Sequence, residues 1–475
     1  MMKRKLEKIT LREVDFAQWY TDIVLNADLI AYGPIKGTTI FKPYGYAIWE
    51  NIQKILDAEF KKNGVKNVYF PLLIPKTLFN KEKEHIEGFS PEIATVTKAG
   101  DKVLDEELYI RPTSEVLFGT FFSKEIQGYR DLPLLYNQWV NVLRWEKTTR
   151  PFLRTSEFLW QEGHTIHSSK QEAQQFTLKI LDIYATFAEK TLLLPVIKGQ
   201  KTEREKFAGA EETYTIESLM YDGQALQCGT SHYFGQNFSK AFDIKFANQK
   251  NTLEYAYSTS WGVSTRLIGG IIMIHSDDNG LVLPPQIAPI QIMILPINND
   301  SNEQLSAAQQ LQKKLQKYRC EIDQSDKGFG FRATNAEIKG IPLRIEIGPR
   351  DLAQQQVTIA RRDTFEKITV SWAEVEKVVS DLLVQIATNL YQKALNNRHQ
   401  RTKEIDNYSE YKKTLAKMNG LFLVPFCGRI ECEDTIKAET QTTSRCIPFD
   451  VSTKKTTCFH CGQPSINLVY FARAY

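Results

Sequence analysis

Apolar positions along this chain fall into two regimes that change near residue 285. In the first, Ile48, Ile52, Ile55, Leu56 and Phe60 recur at three- and four-residue spacing and predict an amphipathic helix stopped by Gly64. Thr10 and Glu13 have capping-box spacing and predict a helix over residues 10–26, and Ser169 with Glu172 predicts another to about Leu193. A loop punctuated by Gly and Pro occupies 32–43. Residues 68–74 form an apolar run interrupted by Pro71, which reads as a buried strand at an edge or interface, because proline has no ladder donor. Residues 105–165 alternate short strands and turns, and further short strands lead to Trp261. The pattern over 1–285 is α+β, with helices packed on a largely antiparallel sheet.

Pro284, Pro285 and Pro289 mark a boundary. Beyond it, residues 290–295 predict a buried strand. Leu305, Ala308, Leu311 and Leu315 predict a helix, and Leu343, Ile345 and Ile347 alternate as a strand that ends at Gly348-Pro349. Val357, Ile359, Ile368 and Val370 continue the sheet. Ser371 and Glu374 are expected to cap a last long helix containing Val375, Val378, Leu382 and Ile386. This alternation implies a small α/β domain with a parallel or mixed sheet. Residues 393–417 read as a basic, mixed-charge connector, either a solvated helix face or an RNA contact. The expected division is 1–285, 286–390 and 391–475.

A length of 475 residues agrees with about three domains. The net charge of +4 neither demands nor excludes a nucleic-acid partner. No apolar run is long enough to span a bilayer, so no membrane association is expected. Residues 1–8 are basic without an apolar core behind them, and Glu7, Glu13 and Asp15 argue against a transit peptide, so a cytoplasmic location is expected. The seven cysteines should then be reduced. Cys427-x4-Cys432 and Cys458-x2-Cys461-Gly462 are paired thiols with the spacing of a tetrahedral Zn2+ site, structural because four thiolates leave no open position. Cys446 and His460 are rival ligands without knuckle spacing. Unligated thiols are the alternative.

Four stretches carry candidate chemistry. Arg144-Trp145-Glu146 and the run from Pro151 to His164 crowd cations, carboxylates and aromatics around a short loop, 147–150. Guanidinium forks match phosphate and carboxylate oxygens, so this layout suits an anionic ligand held against a sheet. Arg111-Pro112-Thr113-Ser114-Glu115 pairs a hydroxyl with a carboxylate, and the residues alone favour a helix N-cap. In the run from Gln227 to Phe238, Ser231 and His232 lack the acid and nucleophile elbow of a hydrolase, and Cys228 reads as a packed small residue. Ser260 to Arg266 ends a strand and opens an apolar helix with small faces, after which His275 and Asp277 read as structural.

The stretch from Arg144 to His164 resembles motif 2 of class II aminoacyl-tRNA synthetases, and its wording resembles the prolyl-tRNA synthetase family, of the archaeal/eukaryotic type. Residues 64–73 resemble motif 1, whose proline lies at a dimer interface, and Ser260–Arg266 resembles motif 3, with Ser264 where the family usually has threonine. The residues from Lys339 to Asp351 resemble the class IIa anticodon-binding domain. The resemblance covers essentially the whole chain. It implies a homodimer that activates L-proline with ATP and Mg2+ and charges tRNA(Pro), with a C-terminal zinc-binding domain. Arg144 and Arg266 would be catalytic. Thr113 and Glu115 would hold the proline amine, and Arg144 would bridge its carboxylate and the α-phosphate. Trp160, Glu162, His164, Phe207 and His232 would form the rest of the proline pocket. Glu146, Arg154, Thr155, Gln227, Thr230, Ser264 and Arg266 would bind ATP, Gln227 also meeting Mg2+ through it. Arg344, Glu346 and Arg350 are candidates for anticodon contact. The C-terminal Tyr475 is expected to pack back near the active site. About one hundred residues separate Glu162 from Trp261, too few for a cis-editing domain as well as the sheet.

Two other classes remain: an inactive paralogue acting as an amino-acid sensor, and a zinc-dependent RNA-binding protein. The presence of Arg144, Arg154 and Arg266 argues against the first, because a sensor need not keep the phosphate clamp, and the second predicts tRNA affinity with no ATP turnover. A threonine-specific relative would need a zinc site in the catalytic half, and no suitable cysteine cluster precedes residue 290.

Overall fold

The computed structural model describes residues 9–83, 93–451 and 456–475. The basic segment 1–8 lies outside the described residues. An 11-stranded sheet organises the chain. Its centre is six strands in spatial order Leu134–Leu143, Glu157–His167, Tyr257–Ser264, Ala225–Gly235, Glu212–Leu219 and Val196–Gln200, every neighbouring pair antiparallel. The helix Lys170–Lys190 packs on this sheet through Ala173, Phe176, Ile180, Leu181 and Tyr184. Its start is as expected, with Ser169 Oγ accepting from the Glu172 amide. The helix Pro43–Lys62 buries Ile48, Trp49, Ile52, Leu56 and Phe60 in the same core, the stripe its periodicity predicts. The mixture of antiparallel sheet and helices is the expected α+β class.

A separate five-stranded sheet, in order Cys320–Ile322, Ile292–Pro296, Leu343–Ile347, Gln356–Arg361 and Lys367–Ser371, is parallel across its first three strands and antiparallel across the rest. This is the mixed sheet that the second regime predicts. Its core joins Ile292, Ile294, Leu343, Ile345 and Ile347 to Leu311, Val379 and Ile386 of the flanking helices.

Several local expectations change. The first helix is Phe16–Asn26, capped by Asp15, whose Oδ1 accepts from the Gln18 amide at 2.9 Å. The Thr10 amide instead donates to Asp22, so the chain before the cap is held by the helix and not part of it. The run 68–74 is not one strand. Lys66–Asn67 joins the large sheet, Leu73–Pro75 joins a three-stranded sheet, and side chains serve the backbone between them. Arg111 Nη1 donates to the Phe70 carbonyl at 2.6 Å, and Gln138 Oε1 accepts from the Phe70 amide at 3.0 Å. A strap containing proline cannot complete a ladder, so buried side chains satisfy it. Within 105–165 lies a helix, Glu115–Glu125, and the strands there span 10 and 11 residues. Ser371 donates to the Glu374 carboxylate and does not cap the backbone of the last long helix, Val375–Gln400.

Residues 393–417 begin as helix, as one reading of the connector expects. The helix runs unbroken through residue 390, and its end docks on the large sheet through Arg398 Nη1 to the Val196 carbonyl, 3.0 Å. The strands Thr402–Glu404, Leu421–Phe426, Asn467–Ala472 and Thr443–Pro448 follow, and the last pairs antiparallel with Val196–Gln200. The C-terminal strands thereby extend the large sheet. Among the described residues, no helix is long and apolar enough to cross a membrane.

Candidate active site

Strand register sets the site. Alternate residues of a strand share a face, so Trp160, Glu162 and His164 project together from Glu157–His167. Across the sheet His164 stands opposite Ser260, Ser260 opposite His232, and His232 opposite Thr213, a row over four strands. Glu162 opposes Gln138 on one side and Gly262 on the other, and Gly262 opposes Thr230. On the other face Gly163 accommodates the Trp261 ring, because a Cβ there would stand 2.2 Å from ring carbons.

This row floors a cavity of about 250 Å3 lined by Thr113, Glu115, Arg144, Trp160, Glu162, His164, Phe207, Gln227, Thr230, His232, Ser264 and Arg266. The remaining expected residues, Glu146, Arg154 and Thr155, line an adjoining recess that shares Arg144, Phe158, Ser264 and Arg266 with it. The hairpin joining Leu134–Leu143 to Glu157–His167 carries Arg144, Arg150 and Arg154. Its two sides are pinned by Arg144 N to the Ser156 carbonyl, 2.8 Å, and by paired backbone bonds between Arg150 and Arg154. Arg144 Nε donates to the Pro112 carbonyl at 3.0 Å, and its guanidinium lies over Phe158 and Trp160. Glu146 and Arg154 form an ion pair at 3.5 Å. Arg266 opens the helix Arg266–His275, its Nε bonded to the Leu153 carbonyl at 3.2 Å and its amide to Ser264 Oγ.

Charges separate across the cavity. Thr113 Oγ1 donates to Glu115 Oε2 in a short bond, both residues buried. Ser114, the residue between them, donates from Oγ to Glu162 Oε1 at 2.5 Å instead of capping the helix that follows. Gln138 Nε2 donates to the same oxygen at 2.6 Å, and His164 Nε2 lies 3.1 Å from Oε2. Burial alone would raise the Glu162 carboxyl, but His164, Ser114 and Gln138 outweigh it and hold it below the usual carboxylate range. Burial lowers Arg144, while Glu115, Glu162 and Glu146 act the other way. Burial, then Arg154 and Arg144, push Arg266 down to about 10. Burial, with His164 and Lys201 adding to it, lowers His232 to about 3, so its imidazole is neutral at ordinary pH. Burial lifts the Cys228 thiol to about 12, as suits a packing residue and not a nucleophile.

The anticodon candidates lie elsewhere. Arg344 and Glu346 are buried and engaged: Arg344 Nε donates to Glu346 at 3.0 Å and Nη1 to Glu337 at 2.9 Å, while Lys367 Nζ holds Glu346 at 2.8 Å. Only Arg350 of the three is exposed. His275 is buried with Nε2 3.0 Å from the Leu192 carbonyl, and Asp277 pairs with Arg362 at 2.7 Å, structural roles as expected. Tyr475 packs against the main core, donates to Asp222 at 2.7 Å and lies beneath Arg150 of the hairpin.

The four paired cysteines converge. Sγ atoms of Cys427, Cys432, Cys458 and Cys461 lie within 4.8 Å of one another, with Cys432–Cys458 at 3.9 Å and Cys427–Cys461 at 3.6 Å. A tetrahedral zinc with sulfur at ~2.3 Å has S–S edges of about 3.8 Å, so the donor set fits the ion. Gly462 has φ +72°, the left-handed turn that a residue with Cβ resists at this knuckle. His460 Nδ1 lies 3.0 Å from Cys432 Sγ, outside the set of thiols, and Cys446 sits apart in the strand against Gly199.

Sequence reasoning missed Ser114 and Gln138 beneath the pocket, and Lys201, Glu217 and Arg445 beside it. Lys201 lies in the same short run as Phe207, an expected pocket residue, so the sequence carried a signal close by. Gln138 and Arg445 had no local signal, because their role arises from register and from a contact across 228 residues.

Comparison with known proteins bears on this geometry. Residues 96–275 match the tRNA synthetase class II core domain (G, H, P, S and T). Residues 291–382 match an anticodon binding domain, and 408–475 match the C-terminal region of prolyl-tRNA synthetase. The chain is 64% identical over 473 residues to a proline–tRNA ligase of Mesoplasma florum, covering 99% of this chain and all of that protein. It is 64% identical over 476 residues to the one of Mycoplasma mycoides subsp. mycoides and 52% identical to proline–tRNA ligase 2 of Bacillus cereus, each covering both chains fully. The chain belongs to the prolyl-tRNA synthetase family. It is therefore an aminoacyl-tRNA synthetase of class II, a class that uses ATP with Mg2+.

Proposed function

We propose that this chain is a proline–tRNA ligase that condenses L-proline with ATP, releasing pyrophosphate, and transfers the prolyl group to the 3′ end of tRNA(Pro). The observation that carries the reading is the placement of Arg144 between a carboxylate-rich end, Glu115 and Glu162, and an arginine-rich end, Arg154 and Arg266. The attacking carboxylate and the α-phosphate are both anions. Positioned positive charge is needed more than a general base, because the nucleophile is already ionised.

In this scheme Thr113 and Glu115 hold the cationic imino nitrogen, and Arg144 spans the proline carboxylate and the α-phosphate. Trp160, Glu162, His164, Phe207 and the neutral His232 enclose the ring, which so small a ligand offers mainly as shape. Glu146, Arg154, Thr155, Gln227, Thr230 and Ser264 take ATP, with Arg266 at the far phosphate. Mg2+ would neutralise phosphate charge, with Gln227 near it through the nucleotide. The acyl bond to phosphate forms as the bond to pyrophosphate breaks. The terminal ribose hydroxyl of tRNA then displaces AMP.

The reading extends to the rest of the chain. Residues 1–285 would be the catalytic domain, 286–390 would engage the anticodon, and 391–475 would be held by a structural Zn2+ on the four thiolates. Arg350 is the anticodon candidate with an exposed side chain, while Arg344 and Glu346 would act there by fixing Lys367. A homodimer through residues 64–73 is supported by Tyr69, which is 75% exposed beside Pro71. The short interval between motifs 2 and 3 favours the archaeal/eukaryotic type without cis-editing, and the location would be cytoplasmic.

Amino-acid-dependent ATP–pyrophosphate exchange tests the proposal, with proline set against alanine, cysteine, threonine and serine. Exchange with proline, lost in Arg144→Ala, is expected. Absence of exchange with every amino acid in folded, zinc-loaded protein would sink it and favour a sensor.

A further inference from the structure

The loop 201–210, between the strands Val196–Gln200 and Glu212–Leu219, has two sides. One presents Phe207 to the cavity. There the Phe207 amide donates to Thr213 Oγ1 at 3.0 Å, and its ring packs on His232 with centroids 4.6 Å apart. The other side is covered by the C-terminal module. Thr202 Oγ1 lies 2.8 Å from Ser444 Oγ, which donates to Glu433 at 2.6 Å, and Arg204 pairs with Asp434 at 2.7 Å.

A second tie runs underneath. Arg445 places Nε and Nη2 3.0 and 2.8 Å from Glu217 Oε2, and Lys201 Nζ donates to Oε1 of the same carboxylate at 2.8 Å. The Lys201 and Glu217 side chains are 2% and 1% exposed, and Lys201 lines the cavity. The module also approaches at backbone level, since Ile447 opposes Gln200 and a Cβ on Gly199 would stand 2.5 Å from the Ile447 carbonyl.

We propose that the C-terminal module shapes the amino-acid pocket, with Ser444 and Arg445 as positioning residues that fix the loop bearing Phe207. The inference rests on the reading of this cavity as the proline site. Without Arg445, Glu217 Oε2 is buried with no donor from that side, and the carboxylate and Lys201 must rearrange. Without the Ser444 hydroxyl, Thr202 and Glu433 both lose a buried partner. Either change loosens one wall of the pocket and leaves in place the adjoining recess of the motif 2 hairpin, Ser264 and Arg266, where most of the proposed ATP contacts lie.

The test compares Ser444→Ala, Arg445→Met and Arg445→Lys with the full-length, zinc-loaded parent. It uses pyrophosphate exchange with proline and ATP varied separately, and calorimetric titration with proline alone. Ser444→Ala is expected to raise the proline KM about fivefold and Arg445→Met at least about tenfold. The KM for ATP should stay within about twofold, and Arg445→Lys should recover part of the proline affinity. Unchanged proline KM and binding in folded Ser444→Ala and Arg445→Met overturns the inference, as does an equal rise for ATP and proline. If Arg445→Met does not fold, Ser444→Ala and Arg445→Lys decide it. A parent protein that neither exchanges nor binds proline overturns the underlying reading, and this inference with it.

Discussion

Replacing Glu162 by glutamine tests whether the pocket floor is a preorganised anion. The carboxylate takes Ser114 Oγ and Gln138 Nε2 on Oε1 at 2.5 and 2.6 Å, and His164 Nε2 and the Ser114 amide on Oε2 at 3.1 and 3.3 Å. A glutamine oxygen at the Oε1 position keeps the two short bonds but loses their charge assistance, about 1 kcal/mol each. Its NH2 then faces the Ser114 N–H, which cannot turn away, and a buried donor without an acceptor costs about 1–3 kcal/mol. The sum is about 3–5 kcal/mol. For a unit near the size of residues 1–285 each kcal/mol moves Tm by about 1.5–2 °C, so the catalytic transition should fall by at least about 5 °C at pH 7. The pH dependence carries a sign. Glu162 has a folded pKa below its unfolded value, so its stabilisation is complete above the ordinary glutamate range and is lost as pH falls through the folded pKa. The gap between parent and variant should be constant near neutrality and close in acid, below pH of about 4. Differential scanning calorimetry at several pH values measures both features. A drop under about 2 °C at pH 7, or a gap that widens in acid, would refute the reasoning.

Three further outcomes follow from local geometry. Gly163→Ala drives a Cβ to within 2.2 Å of the Trp261 ring, so it should destabilise the sheet by about 1–3 kcal/mol and shift the tryptophan emission. His232, lowered to about 3, should show no ring titration by NMR between pH 5 and 8, unlike an exposed histidine; since the unfolded chain protonates first, stability should decline as pH falls below the ordinary histidine pKa of about 6.5. Protein unfolded in the presence of a colorimetric chelator should release stoichiometric zinc, and Cys458→Ser should reduce that release and lower the Tm of the C-terminal module.

The parts of the fold that periodicity controls were legible. The stripe on Pro43–Lys62, the Ser169 cap and the mixed sheet around Leu343–Ile347 each follow from local spacing. What failed was decided by distant partners. The run 68–74 has the composition of a strand, but Arg111 and Gln138 supply its hydrogen bonds from two other elements. Thr10 has the spacing of a cap, yet Asp15 is nearer the first buried turn and takes that role. The residues expected at the site do converge, because motif wording specifies residues that a shared sheet face then gathers. Ser114, Gln138 and Arg445 stayed hidden because each acts through another side chain, and the pairing exists only once the strands are in register.

The two ends of the cavity explain why such a site tolerates its own repulsion. Arg144, Arg154 and Arg266 are close enough that the first two, after burial itself, depress the third to about 10. Arg144 and Arg266 each donate to a backbone carbonyl and Arg154 pairs with Glu146, but the hairpin is also closed by backbone bonds and the helix Arg266–His275 is also anchored by its apolar face. Their crowding costs native stability and is relieved by an anion between them. The carboxylates at the other end, Glu115 and Glu162, disfavour an anion and suit a cation, and Arg144 sits where the two fields meet. A ligand complementary to both ends carries a positive group, then a carboxylate, then phosphates, in that order. Proline docked beside ATP has that sequence of charges, whereas the adenylate has lost the carboxylate charge and keeps one phosphate, so the charge pattern favours the reacting pair over either ligand alone.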